Sequence, residues 1–254
     1  MSMDTPLRRL ARRFLPASAR DGITAFRRRH RLQWPRAGTI DFGGFDRLTP
    51  VSQVFGYDRG KPIDRHYIER FLEAHRADIT GRCLELGDPG YINRFGHDVS
   101  RADVLHYVPG NPLATIVGDL TDAPHIADDS FDCIIFTQTL QMIVDPRAAL
   151  RTIHRILKPG GVALITSAGI AKIGRKLGRD DWGEYWHFTA QSLQLVTAEV
   201  WGAENVTIGS YGNVMSACCF LQGLAAEELL PEHLDHQDED FGVIITARLQ
   251  KAAP

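Results

Sequence analysis

A short apolar run that stops at a glycine-bearing turn is the feature that most constrains the fold of this chain. Residues 83–86 read CLEL, with a single acid inside the run, and residues 87–90 read GDPG. This pattern predicts a buried strand that breaks into a tight turn. Glycine lets the backbone approach a ligand closely because it has no side chain. Ligands of open α/β sheets bind at the carboxyl ends of the strands, so we expect this turn to form a binding edge.

The rest of the chain alternates predicted strands with predicted helices. Residues 131–137 read FDCIIFT, a nearly continuous apolar strand of the kind that is buried on both faces of a parallel sheet. Further strands are expected at residues 98–105, 114–117, 162–166, 205–211 and 243–249, and helices at 62–72, 146–157, 189–200 and 214–230. This alternation predicts a doubly wound α/β fold with a seven-stranded, mostly parallel sheet.

Charge is distributed unevenly along the chain. Residues 1–36 contain ten arginines and two acids, a net charge of +8, whereas the whole chain carries −2, which leaves −10 for the remainder. Residues 6–15 and 23–32 place apolar side chains at helical spacing among the arginines, which predicts two short basic amphipathic helices. We expect this arm either to be a solubilising extension or to contact a membrane surface or a partner protein. Nucleic acid is disfavoured because the acidic body opposes it.

The sequence divides into a basic arm with an ordered loop, residues 1–61, and a domain, residues 62–254. The four cysteines lack metal-binding spacing with a histidine, and we interpret them as reduced, buried and structural, which favours a cytoplasmic protein. No apolar run approaches the ~20 residues that a membrane span needs. Residues 16–21 interrupt the apolar pattern that a secretory signal requires, so we predict none.

The turn after residue 86 resembles motif I of the class I S-adenosylmethionine-dependent methyltransferases, in which an acid, one residue and a glycine-rich turn hold the cofactor. Glu85 and Gly87 match the acid and the first glycine, whereas the second glycine is Pro89 and the third is shifted to Gly90. Later features follow in the order of the family. They are Asp103 on the second strand, Asp119 after the third, SFD at 130–132 and LKPGG at 157–161.

The resemblance implies S-adenosyl-L-methionine as the cofactor, with Asp103 on the ribose hydroxyls, Asp119 near the adenine amine and Leu120 on the adenine face. Since proline lacks an N–H, the cofactor carboxylate is expected to bind an arginine, Arg65 or Arg59. Tyr67 or Tyr91 would close over the methionine end. The expected cofactor residues are Glu85, Gly87, Asp88, Gly90, Tyr91, Asp103, Asp119, Leu120, Thr137 and Arg65.

Each of the three acids also has a purely structural interpretation. Glu85 could be the N-terminal partner of a turn, Asp103 could cap a helix, and Asp119 could form an Asx turn with Thr121. These alternatives stay open at the level of sequence.

In this fold the residues after strands four and five line the acceptor side. Residues 137–141, TQTLQ, lack the Asn-Pro-Pro-Tyr that the family uses for amino groups of bases and glutamine side chains. Residues 180–188, DDWGEYWHF, offer aromatic platforms for sugar faces and flat metabolites. We expect acceptor contacts from Gln138, Gln141, Trp182 and Trp186, and catalytic roles for Tyr185 and His187.

His187 is the expected base because imidazole titrates near neutrality; the alternative is a histidine that is merely exposed between core aromatics. Asp180, Asp181 and Glu184 could instead hold a divalent metal, but their spacing is not diagnostic and we assign no metal site.

Several segments are similar to bacterial methyltransferase-domain proteins associated with glycan or natural-product assembly; among them are residues 48–72, 102–107 and 121–141. This implies O-methylation of a sugar or a small secondary metabolite. A second hypothesis follows from the altered turn and the basic arm: a non-catalytic or non-methylating protein that acts through a partner bound by the arm. A homo-oligomer is compatible with either hypothesis.

Overall fold

The computed structural model describes residues 15–30, 32, 41–174 and 183–253. The chain divides into two compact units, residues 1–48 and 49–254, so the body begins earlier than the expected boundary at residue 62. In the first unit, helix α1 spans Ala17–Arg29 and a 3-10 turn spans Gly43–Phe45. The helix expected at 23–32 thus begins earlier, at Ala17, directly after Pro16, a residue that is tolerated at the start of a helix. The helix expected at 6–15 lies outside the described residues.

A seven-stranded sheet forms the centre of the second unit, which confirms the predicted doubly wound class. The strand order is β3-β2-β1-β4-β5-β7-β6, and β7 runs antiparallel to both of its neighbours. The strands are β1 Gly81–Leu86, β2 Val99–His106, β3 Ile116–Val117, β4 Phe131–Thr137, β5 Leu157–Ala168, β6 Val206–Tyr211 and β7 Ile244–Gln250. Parallel β1 and β4 are neighbours at the centre, so the turn after β1 lies beside the end of β4.

Helices cover both faces of this sheet. They are α2 Ile63–Ala74, α3 Gly90–Phe95, α4 Pro146–Ile156, α5 Ala190–Trp201, α6 Val214–Leu221 and α7 Pro231–Asp235. The main apolar core lies between the sheet and helices α4 and α5, and it includes Ile134 and Phe136 of β4. Ile135, one residue between them, is equally buried but outside that core, as expected for a strand whose side chains alternate between two covered faces.

Local capping explains several element boundaries. The Thr189 hydroxyl accepts from the Ser192 N–H at 3.1 Å and starts α5 where the sequence predicts it. Asp145 caps α4 in the same way through the Ala148 N–H. The helix expected at 214–230 ends at Leu221, because Gly223 has a φ of 72°, a left-handed conformation that stops a helix.

Strand β5 is longer than expected, because Lys158–Gly161 belongs to the strand instead of forming only a stop after α4. Three cysteines are buried as expected, but Cys218 is exposed. Within the described part of the chain, no helix is both long and apolar enough to cross a membrane.

Candidate active site

The turn after β1 is built so that its backbone faces open space. Gly87 has a φ of 85°, and a side chain added there would meet no atom within 4 Å. Its N–H donates to the Leu105 carbonyl at 3.0 Å, which ties the turn to β2. The Asp88 carboxylate accepts from the Gly90 N–H at 2.9 Å. The turn is therefore rigid and open, as a cofactor cradle requires.

Pro89 fits this turn because it immediately precedes helix α3. The first N–H groups of a helix have no partner within the helix, so a missing N–H at this position costs little. The departure from the glycine-rich motif thus changes how the helix begins, and it leaves the open backbone at Gly87 in place.

Glu85, a residue of β1, caps the start of helix α3 with its side chain. Its carboxylate accepts from the Tyr91 N–H at 3.1 Å and from the Ile92 N–H at 2.8 Å, and the side chain is buried. Burial raises the pKa of Glu85 to about 7, although the two N–H groups favour the charged form. Glu85 is therefore the N-terminal partner of a turn, and a carboxyl that titrates near neutral pH as well.

Arg65 of α2 links the loop before that helix to the turn. Its Nε donates to the Tyr57 hydroxyl at 2.9 Å and its Nη1 to the Tyr91 hydroxyl at 3.2 Å. Burial opposes the charge, but neighbouring Asp64 and the two tyrosines raise the pKa of Arg65 above its ordinary value. The guanidinium is therefore charged and held at the edge of the turn.

The structure distinguishes between the alternative arginines and tyrosines that were expected at the methionine end of the cofactor. Arg59 forms an ion pair with Glu228, so its guanidinium is engaged elsewhere. Tyr67 is completely buried against Tyr211, whereas Tyr91 contacts Arg65. Geometry thus favours Arg65 and Tyr91.

Asp103 does not lie where a ribose ligand must lie, which corrects its expected role. It pairs with Leu84 in the middle of the β1–β2 ladder, short of the strand's end at His106, and is fully buried. Its carboxylate accepts from Arg82 at 2.8 Å, Arg101 at 3.0 Å and the Thr115 hydroxyl at 2.8 Å. Burial opposes ionisation, but these donors lower the pKa of Asp103 below its usual range.

With no exposed surface, Asp103 has nothing to offer a cofactor; it joins β1, β2 and the segment before β3. At the sheet edge, β2 ends at His106 and the exposed Tyr107 follows it. The expectation placed Asp103 at the end of β2. Asp103 is the only acid in that strand, and it lies three residues before the end.

The segment after β3 also adopts its structural alternative. The Asp119 carboxylate accepts from the Thr121 N–H at 2.8 Å, which is the Asx turn. Leu120 is buried in the main apolar core, so its side chain does not cover an adenine. Asp119 itself is half-buried after the strand edge and keeps a second carboxylate oxygen outside that turn.

A cavity of about 200 Å³ lies at the carboxyl ends of β4 and β5, with Arg65 on its border. Its wall combines aromatic and apolar side chains with charged and amide groups: Phe55, Tyr57, Met142, Phe220, Asp64, Arg65, Gln138, Gln141, Lys172 and Glu184. Thr137 ends β4 and leads directly into this wall.

Two glutamines line the cavity. Gln138 has a φ of 49°, a strained conformation for a residue with a side chain. The Gln141 side-chain N–H donates to the side-chain Oε1 of Gln138 at 2.9 Å, and Gln141 is only 3 % exposed. Its Oε1 has no hydrogen-bond partner among the described residues. A buried oxygen without a hydrogen-bond partner is uncommon in folded proteins.

The sequence suggests Glu184 only as one of three alternative metal ligands, whereas the structure places it in the cavity wall. Its side chain is 3 % exposed, its carboxylate accepts from the Gly174 N–H, and its Oε1 lies 3.1 Å from His187 Nε2. Asp64 is a second buried acid at the cavity, and burial raises its pKa. The available signal was an acid inside the aromatic loop before a capped helix.

Residues 183–188, the described part of the aromatic segment, form hydrogen bonds to the segment that follows β4. The Tyr185 and Trp186 N–H groups donate to the Gln141 carbonyl at 2.8 and 3.2 Å, and the Trp186 ring N–H donates to the Ile143 carbonyl. Tyr185 and Trp186 are exposed and, like His187, are not part of the cavity wall. Trp182 lies outside the described residues.

No cluster of metal-ligating side chains occurs among the residues that the structure describes. Asp180 and Asp181 fall outside them, so the alternative metal set is not described as a whole.

Comparisons with known proteins agree with this arrangement. Residues 86–165 match the family described as methyltransferase domain. The ubiquinone/menaquinone biosynthesis C-methyltransferase UbiE of Pectobacterium atrosepticum is 33% identical over 89 residues, which are 35% of this chain and 30% of that protein. The protein of the same name from Klebsiella pneumoniae subsp. pneumoniae is 27% identical over 137 residues, 47% of this chain and 48% of that protein. The chain therefore spans less than half the length of these curated relatives.

Among solved structures, the CurJ carbon methyltransferase superposes with a TM-score of 0.50 at 13% identity, covering 78% of this chain and 57% of that chain. A structural similarity at such a low sequence identity is evidence about the fold alone. The domain match and the strand order together support a class I S-adenosylmethionine-dependent methyltransferase fold with S-adenosyl-L-methionine as its cofactor.

The residues present fit that cofactor. Its methionine end carries one carboxylate and one ammonium, and the turn offers the charged guanidinium of Arg65 and the carboxyl of Glu85. The open backbone at Gly87 leaves room for a ligand to approach the turn.

Proposed function

We propose that this chain is a methyltransferase that alkylates a hydroxyl of a small polar acceptor, a sugar or a secondary metabolite, bound in the cavity at the ends of β4 and β5. The observation that carries the proposal is Glu184, a carboxylate that is almost wholly buried in the cavity wall and paired with His187. A hydroxyl is a weak nucleophile until its proton is removed, and a buried carboxylate in contact with the acceptor supplies a base for that step.

When bound, S-adenosylmethionine supplies an electrophilic methyl group on a sulfonium. Arg65 and Glu85 hold its charged end, and the cavity holds the acceptor alongside, so that proximity provides much of the rate. Glu184 accepts the hydroxyl proton and passes it to His187 Nε2 at 3.1 Å. His187 is about one-third exposed, so it can release the proton to water. His187 thus acts as a relay behind the base.

The cavity wall supports a hydroxyl-rich acceptor. Phe55, Tyr57 and Phe220 offer flat apolar surfaces on which a sugar or a ring can stack. The unpartnered Gln141 Oε1 accepts a hydrogen bond from a neighbouring hydroxyl. A purely apolar acceptor would leave this oxygen unsatisfied, at a cost of about 1–3 kcal/mol.

Carbon methylation is the second candidate, favoured by the names of the two curated relatives, both C-methyltransferases. Removal of a proton from a phenol or an enol makes the adjacent carbon nucleophilic, so Glu184 would serve this reaction too. The two candidates differ in the bond formed, C–O or C–C.

The cofactor site is tested by calorimetric titration with S-adenosylmethionine and S-adenosylhomocysteine. We expect binding, and a loss of at least about tenfold in Arg65→Met, because a charge-assisted contact is worth about 1.5–3 kcal/mol. Arg70→Met is the matched control on the same helix, since Arg70 forms an exposed ion pair with Asp235. No binding by the native chain would overturn the enzyme proposal and favour a non-catalytic protein.

The acceptor class is tested by incubation of the protein with ¹³C-methyl-labelled cofactor and a panel of glycosides, phenols and quinols. Carbon NMR of the product distinguishes an oxygen-bound from a carbon-bound methyl group. A product methylated on oxygen supports the first candidate, and one methylated on carbon replaces it with the second.

A further inference from the structure

Helix α1 presents two large apolar side chains to solvent. Phe26 is 57% exposed and Ile23 is 49% exposed. With about 3.6 residues per turn, they share with Ala19 an arc of about 60° of the helix surface. The His30 ring packs on the Phe26 ring, with centroids 4.4 Å apart. Such a face is a typical site of contact with something apolar.

Positive charge surrounds this face. Arg27 and Arg29 are exposed on its two flanks. The same terminal region, residues 1–36, holds ten arginines and two acids, against a charge of −10 for the remainder of the chain. The surface that α1 complements is therefore anionic and has an apolar layer beneath the charge.

We propose that α1 docks on the surface of an anionic lipid bilayer, with Ile23 and Phe26 below the headgroups and the arginines among the lipid phosphates. Basic amphipathic helices lie in the membrane interface in this orientation. A nucleic acid would satisfy the arginines alone, and the two exposed apolar side chains therefore favour lipid. This proposal is independent of the methyl-transfer reaction.

Co-sedimentation of the full chain with vesicles tests the proposal. We expect binding to vesicles rich in phosphatidylglycerol, weak binding to phosphatidylcholine alone, and weakening by salt. Arg27→Gln with Arg29→Gln should lower the partition coefficient about 25-fold, since one cation near an anionic surface is worth about fivefold. Ile23→Ser with Phe26→Ser should lower it at least about tenfold, because both side chains lose burial.

Ala25→Ser is the control, because it lies away from the apolar face and keeps the charge. Equal partition onto both vesicle types would overturn the proposal, as would full binding by the Ile23/Phe26 variant. If RNA displaces the protein and only the arginine variant is impaired, the arm is a nucleic-acid contact and the lipid proposal is wrong. Thermal melts of each variant verify that the body is folded in every arm of the experiment.

Discussion

At the scale of single residues, the point where each strand ends decides which side chains reach the binding edge of the sheet. Glu85 and Gly87 lie at the end of β1 as the CLELG pattern predicts, because a strand followed by glycine fixes its own end. Asp103 was expected at the edge of β2, but the strand continues to His106. A sequence pattern does not show which residue of a strand reaches the edge, since that depends on pairing with β1.

Replacement of Glu184 tests the proposed removal of the acceptor's proton. We expect Glu184→Gln to lower kcat by about 10² or more, because the amide cannot accept the acceptor's proton. Affinity for S-adenosylmethionine should stay unchanged, since the residue lies in the acceptor cavity. Steady-state kinetics and calorimetry measure the two quantities, and Glu204→Gln, an exposed carboxylate, is the control. Unchanged turnover in Glu184→Gln would exclude this residue as the base.

Glu85 predicts a pH dependence of stability. Its folded-state pKa of about 7 lies above the ordinary value of 4.5, so between these values the folded state binds more protons than the unfolded state. The free energy of unfolding should therefore be highest below about pH 4.5 with respect to this group and fall by about 3 kcal/mol as pH rises through 7.

Glu85→Gln should remove this fall, because the amide stays neutral, and it should also weaken S-adenosylmethionine binding above pH 7 if the carboxylate holds the ammonium group. Urea titrations from pH 5 to pH 8 measure the first effect and calorimetry the second. Exposed Glu73→Gln is the control. A decline of the same size in Glu85→Gln would show that another group causes it.

At the scale of elements, the fold could be predicted because strands and helices alternate with clear signals. Strand β4 has the bounds expected from its apolar run, and the capped helix α5 begins after Thr189 as expected. Helix α6 was overextended because its apolar pattern continues past the left-handed Gly223. The sequence places Gln138 and Gln141 of the cavity wall directly after β4, but it could not predict Phe55 and Phe220, which reach the same wall from segments far apart in the chain.

Asp103 connects β1, β2 and the segment before β3. Its replacement distinguishes this structural role from the expected contact with the cofactor. Asp103→Asn should lower the free energy of unfolding by about 2–3 kcal/mol, less than the 3–5 of a fully buried pair, because Arg82 and Arg101 reach solvent. The depressed pKa contributes stability above the unfolded value near 3.8 that is lost as pH falls through the folded value.

At a temperature where Asp103→Asn is folded, its affinity for S-adenosylmethionine should equal that of the native chain. Denaturation and calorimetry on the same samples measure both quantities, with Asp122→Asn as an exposed control. Weaker cofactor binding without any loss of stability would restore the ribose assignment and contradict the geometry described for β2.

At the scale of the molecule, the features proposed for methyl transfer and for lipid contact belong to different units of the chain. The sheet, the turn after β1 and the cavity all belong to residues 49–254, whereas the exposed apolar face of α1 belongs to residues 1–48. Ser52, close to the start of the body, is already buried in it and donates its N–H to the Gln222 carbonyl at 3.0 Å. A cut before residue 49 therefore spares the packing that forms the cavity, whereas a cut at residue 62 would remove Phe55 and Tyr57 from its wall.

The separation predicts the behaviour of two truncated chains. A chain of residues 49–254 should fold with a free energy of unfolding within about 0.5 kcal/mol of the full chain, since it loses none of the body's core. It should keep S-adenosylmethionine affinity and lose vesicle binding. A chain of residues 62–254 should be less stable and should bind the cofactor more weakly, because Tyr57 no longer holds Arg65. Denaturation, calorimetry and co-sedimentation measure these properties. Loss of cofactor binding in the longer fragment would show that the arm takes part in the active site, and the division of tasks would then be wrong.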